Sequence, residues 1–335
     1  MKYFIEIISN KAKNDVNEIV KRLGYKDLSP IRKSNSGVSH FLVKALGVAR
    51  ILTKMRKGDV LFLQYPMKKF YKMACLFANA KGAKVVTVVH DLGAFRRHKL
   101  TPEQENRRLS HTDFLIVHNE KMRDYVKAHG FKGTLYCLGI FDYLSDSKPA
   151  DYITPHKPWT IVYAGGLGRW RNAFLYDIDK YAEGYVLDIY GRGFDTGADK
   201  DWSHVRYKGF AESEQFIAKT EADFGLVWDG ASLDECTGDW GEYLKINNPH
   251  KTSFYLRAGI PVIVWKEAAM APFVVNNGIG ICVASLREIG SRLAEITPDE
   301  YAKMRANAAR TGRMIGEGHY ITEGLKEAEK LFGIQ

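Results

Sequence analysis

The sequence predicts an α/β protein made of two Rossmann-like domains in tandem, each a parallel sheet covered by helices on both faces. Three observations carry that expectation. Short, continuously apolar runs alternate with helix-like stretches, as strands buried on both faces require. The segment 147-SKPADYITPHKP-158, with three prolines and little apolar periodicity, breaks the alternation as an interdomain linker would. The alternation then restarts. The 335 residues, 45% of them hydrophobic, suffice for two domains with cores of their own.

Taken in order, KYFIEIIS from Lys2 reads as a strand, and NDVNEIVKRLGY as a helix with Asn14 and Asp15 at its start and Gly24 near its end. SGVSHFLVKALGVARILTKM reads as a longer helix. DVLFLQYP, closed by Pro66, reads as a buried strand, and KKFYKMACLFANAKG as a helix stopped by Gly82. AKVVTVVHD and DFLIVHN are further strands. After the linker come WTIVYAGG, YVLDIYGRG, ADFGLVWDG, PVIVW and GICVAS as strands, and EGHYITEGLKEAEKLFG as a helical end.

Charge is divided unequally. Residues 1–150 hold 28 Lys and Arg against 13 Asp and Glu, whereas residues 151–335 hold 21 against 26. A basic half favours an acidic surface as partner, such as nucleic acid or anionic lipid headgroups, and a solvated surface with no partner reads equally well. No nucleic-acid-binding motif is present, so nucleic acid is not the expected partner. The start of the chain does not read as a signal peptide and no apolar run approaches a membrane span, so a cytoplasmic protein is expected. Cys75, Cys137, Cys236 and Cys282 form no paired spacing and read as reduced, buried thiols. No metal-ligand spacing and no Gly-x-Ser-x-Gly pattern occurs, so a metal centre and a serine hydrolase of that kind are not expected.

In open α/β sheets ligands bind beyond the carboxyl ends of the strands. Gly165 and Gly166 end one strand, and Arg169 and Arg171 follow closely. A glycine turn with a guanidinium suits a diphosphate, through backbone donors and a planar fork; a plain tight turn reads equally well. Tyr190 ends the next strand, Gly209 and Phe210 precede a helix, and Asp229 ends a third strand. A polar stretch of about 18 residues then reads as a loop longer than most connections, and such loops are often functional. It leads into 247-NNPHKTSFYLRAGIPVIVW-265, where Pro249 suits the start of a helix and Lys251 its first turn. Helix N-termini attract phosphate, and a lysine there adds to the attraction; a solvated lysine with no ligand is the alternative. In the first half His90 and Asp91 follow a strand; either is a candidate general base, with packing and capping the alternatives. Arg96, Arg97, His98 and Lys99 form a basic loop beyond them.

The order YAGG, IYGRG, YKGF, GLVWDG, NNPHK and YLRAGIPVI, with VVHDL upstream, resembles a family of bacterial sugar transferases. That family includes β-1,6-galactofuranosyltransferases of surface-polysaccharide clusters and the glucosyltransferase that extends GlcNAc on streptococcal adhesins. It is similar to GT-B glycosyltransferases. The resemblance makes residues 1–150 an acceptor domain and 151–317 a nucleotide-sugar donor domain; the helical end over 318–335 is read from the sequence as docking back on the first. The resemblance implies a UDP-sugar donor, no required metal or cofactor, and a saccharide or lipid-linked saccharide acceptor. Self-association goes with it, and the basic half is expected to approach anionic lipid at the inner face of the plasma membrane. Mapped onto this chain, Gly165 and Gly166 line the diphosphate. Arg169 stands where relatives often carry a lysine, Lys251 neutralises the diphosphate, and Tyr190, Asp229 and Asn248 surround the nucleotide or sugar. Asp91 or His90 is the catalytic base of an inverting transfer. One departure stands out: where many GT-B enzymes place a glutamate for ribose, this chain has Phe254. A UDP-sugar epimerase on the same fold and a non-catalytic transferase-like subunit are the alternative readings.

Overall fold

The computed structural model describes residues 1–7, 9–30, 37–67, 70–96, 98, 100–151, 155–195, 197 and 202–334. Of the basic loop, Arg97 and Lys99 fall outside the described residues, as do residues 152–154 of the linker stretch. The chain divides into two compact units. Residues Met1–Asp142 and Gly318–Gln335 form the first, and Tyr143–Glu317 the second.

The first unit's sheet is six-stranded and parallel among the described residues. Its strands are β1 (Lys2–Phe4), β2 (Lys26–Asp27), β3 (Val60–Tyr65), β4 (Lys84–Val89), β5 (Phe114–Val117) and β6 (Thr134–Cys137), in the order β2-β1-β3-β4-β5-β6. Every residue of β3 and β5 is buried, as strands covered on both faces must be. β1 is shorter than the apolar run KYFIEIIS suggests. Beyond Phe4 the backbone leaves the ladder: Glu6 N–H donates to Asp27 Oδ1 and Ser29 Oγ, at 3.2 and 3.0 Å, rather than to a neighbouring backbone. The helix Lys11–Arg22 starts at Asn10, whose side chain accepts from Lys13 N–H, ahead of the Asn14–Asp15 pair the sequence suggested. Thr101 and Gln104 make a reciprocal capping box at the helix Pro102–Leu109.

The C-terminal helix His319–Leu331 belongs to the first unit. Glu329 accepts from Lys2 Nζ at 3.0 Å and from Tyr25 Oη at 2.8 Å. Asp142 accepts from Tyr320 N–H at 3.1 Å and Ile321 N–H at 2.8 Å, in the first turn of that helix.

The second unit's sheet holds β7 (Trp159–Gly166), β8 (Tyr185–Arg192), β9 (Val205–Tyr207), β10 (Phe224–Val227), β11 (Val262–Trp265) and β12 (Gly280–Val283). Its order is β12-β11-β10-β7-β8-β9, and all its pairings are parallel. From β7 the chain first builds outward through β8 and β9, then returns to the other side of β7 with β10. The strand order therefore reverses between β7 and β10, and the crevice such a reversal leaves is where open sheets bind ligands. The edge strands β2, β6 and β9 lack a sequence signal, being short and partly exposed. The long polar stretch after Asp229 contains a short helix, Gly238–Tyr243, which apolar periodicity does not reveal. The segment after Asp142 is tied into the second unit: Arg257 Nη2 donates to the carbonyls of Ser145 and Ser147, each at 2.8 Å. The cysteines are all free thiols; Cys75 and Cys236 are buried, whereas Cys137 and Cys282 are only half-buried. Among the described residues, no helix is long and apolar enough to cross a membrane.

Candidate active site

The second unit's crevice is built from the carboxyl ends of its strands. β7 and β8 run in register to their ends, Gly165 opposite Gly191. Here glycine is obligatory. A Cβ on Gly191 would lie 1.8 Å from the Gly165 carbonyl oxygen, and a Cβ on Gly165 would meet Lys251 Cε at 3.1 Å. The absent side chain of Gly165 makes room for the lysine, and that of Gly191 lets the two strand ends lie together. Behind the turn, Asn172 donates from Nδ2 to the Gly166 carbonyl at 2.7 Å and is itself fully buried.

Lys251 stands in the first turn of the helix His250–Arg257, and Pro249 is its N-cap rather than its first helical residue. Its Nζ donates to Tyr163 Oη at 2.6 Å and lies 3.6 Å from Asp229 Oδ2. Burial holds the amine below the ordinary lysine value; Asp229 pulls it back up and Arg171 pushes it down further. Asp229, itself buried, receives Nε and Nη2 of Arg171 on one oxygen, at 2.9 and 2.7 Å. Arg171 in turn lies 3.8 Å from the centre of the Trp240 ring. Two cations therefore share one carboxylate, and this cluster has positive charge to spare for an anion.

A cleft of about 480 Å³ opens beside this cluster. Gly165, Gly166, Tyr190 and Lys251 line it. Asp229 and Asn248 are buried behind it rather than in its wall. Arg169 is exposed, with its guanidinium 4.1 Å from the Tyr176 ring centre, and is not part of the lining. The remaining wall was not legible in the sequence. Arg192 lies 4.6 Å over the ring of Phe210, which is 53% exposed at the rim. Phe254, at the position where many GT-B enzymes place a glutamate for ribose, packs against Phe216 at 4.5 Å and Tyr143 at 5.3 Å. Tyr143 stacks on His250 at 4.9 Å and donates to Ser213 Oγ at 3.0 Å. The one available signal was Phe210 directly after Gly209, an aromatic at a turn.

In the first unit His90 and Asp91 follow β4 directly. His90 Nε2 lies 2.7 Å from Gln64 Oε1, and its ring stacks on Phe141 with centres 5.3 Å apart. Asp91 is buried. The turn after it is held by Glu105, whose carboxylate accepts from Gly93 N–H and Ala94 N–H, both at 2.9 Å, and from Tyr65 Oη at 2.8 Å. Burial raises the Glu105 carboxyl above its usual value, with Asp91 adding to the rise. His118 lies nearby, but burial holds it down to about 4, so its ring is neutral.

The chain matches the family described as glucosyltransferase 3-like in both parts, its N-terminal domain over residues 6–140 and its C-terminal domain over residues 161–328. It is 30% identical to the β-1,6-galactofuranosyltransferase WbbI of Escherichia coli K12, over 95% of this chain and 93% of that protein. It is 26% identical to glucosyltransferase 3 of Streptococcus gordonii, over 95% and 92%. Among solved structures it resembles the lipopolysaccharide outer core galactosyltransferase WaaB, with a TM-score of 0.57 at 14% identity over 98% of this chain and 100% of that one. That last likeness concerns the fold alone, which is GT-B.

Proposed function

The chain belongs to the glucosyltransferase 3-like family and is a glycosyltransferase, and from that premise we propose that it moves galactofuranose from a UDP-linked donor to a hydroxyl of a saccharide acceptor. The observation that carries the reading is the placement of Lys251 beside Gly165, at a helix N-terminus and at the reversal point of the sheet. A diphosphate laid along Gly165 and Gly166 meets backbone donors, a half-buried ammonium and the helix end together. Tyr190, Phe210 and Phe216 supply flat apolar surface for a uracil ring, and Arg192 reaches over Phe210 at the rim.

In the reaction the acceptor oxygen bonds to the anomeric carbon while the bond from that carbon to the diphosphate breaks. UDP leaves with the electron pair, and the acceptor hydroxyl gives its proton to a base. Lys251 and the helix N-terminus stabilise the charge that grows on the diphosphate, the kind of electrostatic contribution that usually dominates such sites. The base is His90 or Asp91 in the first unit, and the product is inverted. Nothing in this scheme calls for a metal ion or cofactor.

Galactofuranose is preferred to glucose because the relative named for it is 30% identical, against 26% for the one named for glucose. Incubation with UDP-galactofuranose or UDP-glucose and a saccharide acceptor tests the reading. UDP release that depends on the acceptor and is faster with the furanose is expected. Release from UDP-glucose alone reverses the choice of sugar, and no release with either donor removes the reading.

The acceptor is a glycan or lipid-linked saccharide, at the inner face of the membrane in the cytoplasm. Phe41, Leu42 and Leu46 are exposed on the helix Gly37–Lys54, in the half of the chain rich in lysine and arginine. Retention on phosphatidylglycerol vesicles but not on phosphatidylcholine vesicles is expected, and equal retention on both removes this part. Self-association goes with the family resemblance, and light scattering of the eluting protein checks it.

A further inference from the structure

The hydrogen-bond chain that reaches His90 has a fixed direction. It begins at two backbone carbonyls, which can only accept. Asn17 Nδ2 donates to the Ile7 carbonyl at 3.2 Å, so Asn17 Oδ1 faces the other way. Gln64 Nε2 donates to that Oδ1 at 2.6 Å and to the Lys13 carbonyl at 3.2 Å. Both hydrogens of the Gln64 amide are thereby used, and its Oε1 is left facing His90 Nε2 at 2.7 Å. Turning either amide over would set oxygen against carbonyl oxygen in a buried place, since Asn17 and Gln64 are 2% and 1% exposed. An oxygen at Oε1 accepts, so His90 Nε2 must carry a hydrogen.

We infer that Asn17 and Gln64 are positioning residues that hold His90 as its Nε2–H tautomer, which makes Nδ1 the atom that takes the acceptor proton. The inference rests on the reading of His90 as the base. Ring orientation is held at the same time by the stack on Phe141, at an interplanar angle of 15°. Gln64 is a polar residue inside a wholly buried strand, a place where an amide costs stability unless each of its atoms is used. Here each is used, and the chain ends on the imidazole. As the new glycosidic bond forms and the bond to UDP breaks, the hydroxyl proton passes to Nδ1 while Nε2–H stays on Gln64. His118 does not compete: its Nε2 donates to the Val89 carbonyl at 3.0 Å, in full burial.

Two-bond 15N–1H correlation spectra of the full chain, labelled in histidine, read the tautomer directly. His90 is assigned by its loss in His90→Gln. The expected spectrum of the neutral ring has Nε2 at the pyrrole-type position and Nδ1 at the pyridine-type position; the reverse pattern overturns the inference. Gln64→Met removes the acceptor. It is expected to mix the tautomers and lower kcat about tenfold to a hundredfold, part of what general base catalysis contributes, with KM for the donor unchanged. The wild-type spectrum remains decisive if a variant does not fold. Separate failures are distinguishable. An Nε2–H tautomer in a Gln64→Met protein of undiminished kcat removes the positioning role. Full activity in His90→Gln removes the reading of His90 as the base, whatever its tautomer.

Discussion

Replacing Lys251 by methionine isolates one charge. Methionine keeps most of the stem volume and removes the ammonium, which lies 2.6 Å from Tyr163 Oη and 3.6 Å from Asp229 Oδ2. A diphosphate oxygen at about 4 Å from such a charge gains about 4 kcal/mol at an effective dielectric constant near 20. Loss of one anion-stabilising donor elsewhere costs about 2.7–4 kcal/mol, or about a hundredfold to a thousandfold in kcat. Two independent routes thus give the same size. The fold should survive, because Asp229 keeps both contacts from Arg171 and is not left as an uncompensated buried charge. The assay is the initial rate of UDP release at saturating donor and acceptor, with thermal unfolding as the control. A folded Lys251→Met protein with kcat within about threefold of wild type would show that Lys251 does not stabilise the leaving group.

The remaining predictions concern linkage and packing. Burial depresses the Lys251 pKa below the ordinary lysine value, so between the two values the unfolded chain binds more protons than the folded one. Stability should therefore rise with pH across that alkaline window, and Lys251→Met should flatten the rise in denaturant titrations. Asp142 shows the opposite sign. Burial pushes it up from 3.8 to about 7, so its stabilising contribution is complete below the lower value and lost as pH rises through the higher. Asp142→Asn should shrink the stability difference between about pH 5 and pH 8 in urea unfolding; an unchanged difference would assign the slope to other groups. Asp229→Leu leaves two cations without their carboxylate and should cost about 3–5 kcal/mol by calorimetry. Gly191→Ala drives a Cβ to 1.8 Å from a carbonyl oxygen and should cost about 3 kcal/mol or more, seen as a fall in Tm together with weaker UDP binding.

The alternation of apolar runs and helices was a local property, so the two parallel sheets could be read before any contact was known. The central strands β3, β4, β7, β8, β10 and β11 were all legible because burial on both faces forces continuous apolar sequence. Lys251 was legible for a similar reason: a helix start leaves a local signature, and a lysine within it stands out.

What the tertiary structure alone decided are the pairings made by residues far apart in the chain. Nothing local marks Arg171 rather than Arg169 as the partner of Asp229, 58 positions away; the turn of the short helix carrying both decides which one faces inward. The aromatic wall of Tyr143, Phe216 and Phe254 comes from three separate elements and has no spacing of its own. Gln64 stands inside an apolar strand with no local mark of a role, and only the positions of Asn17 and His90 make it a link. Backbone geometry repeats every few residues and leaves its period in the sequence, whereas a side-chain pair is set by where the sheet brings two strands together. That is why the architecture could be read along the chain, and the wiring of the site only across it.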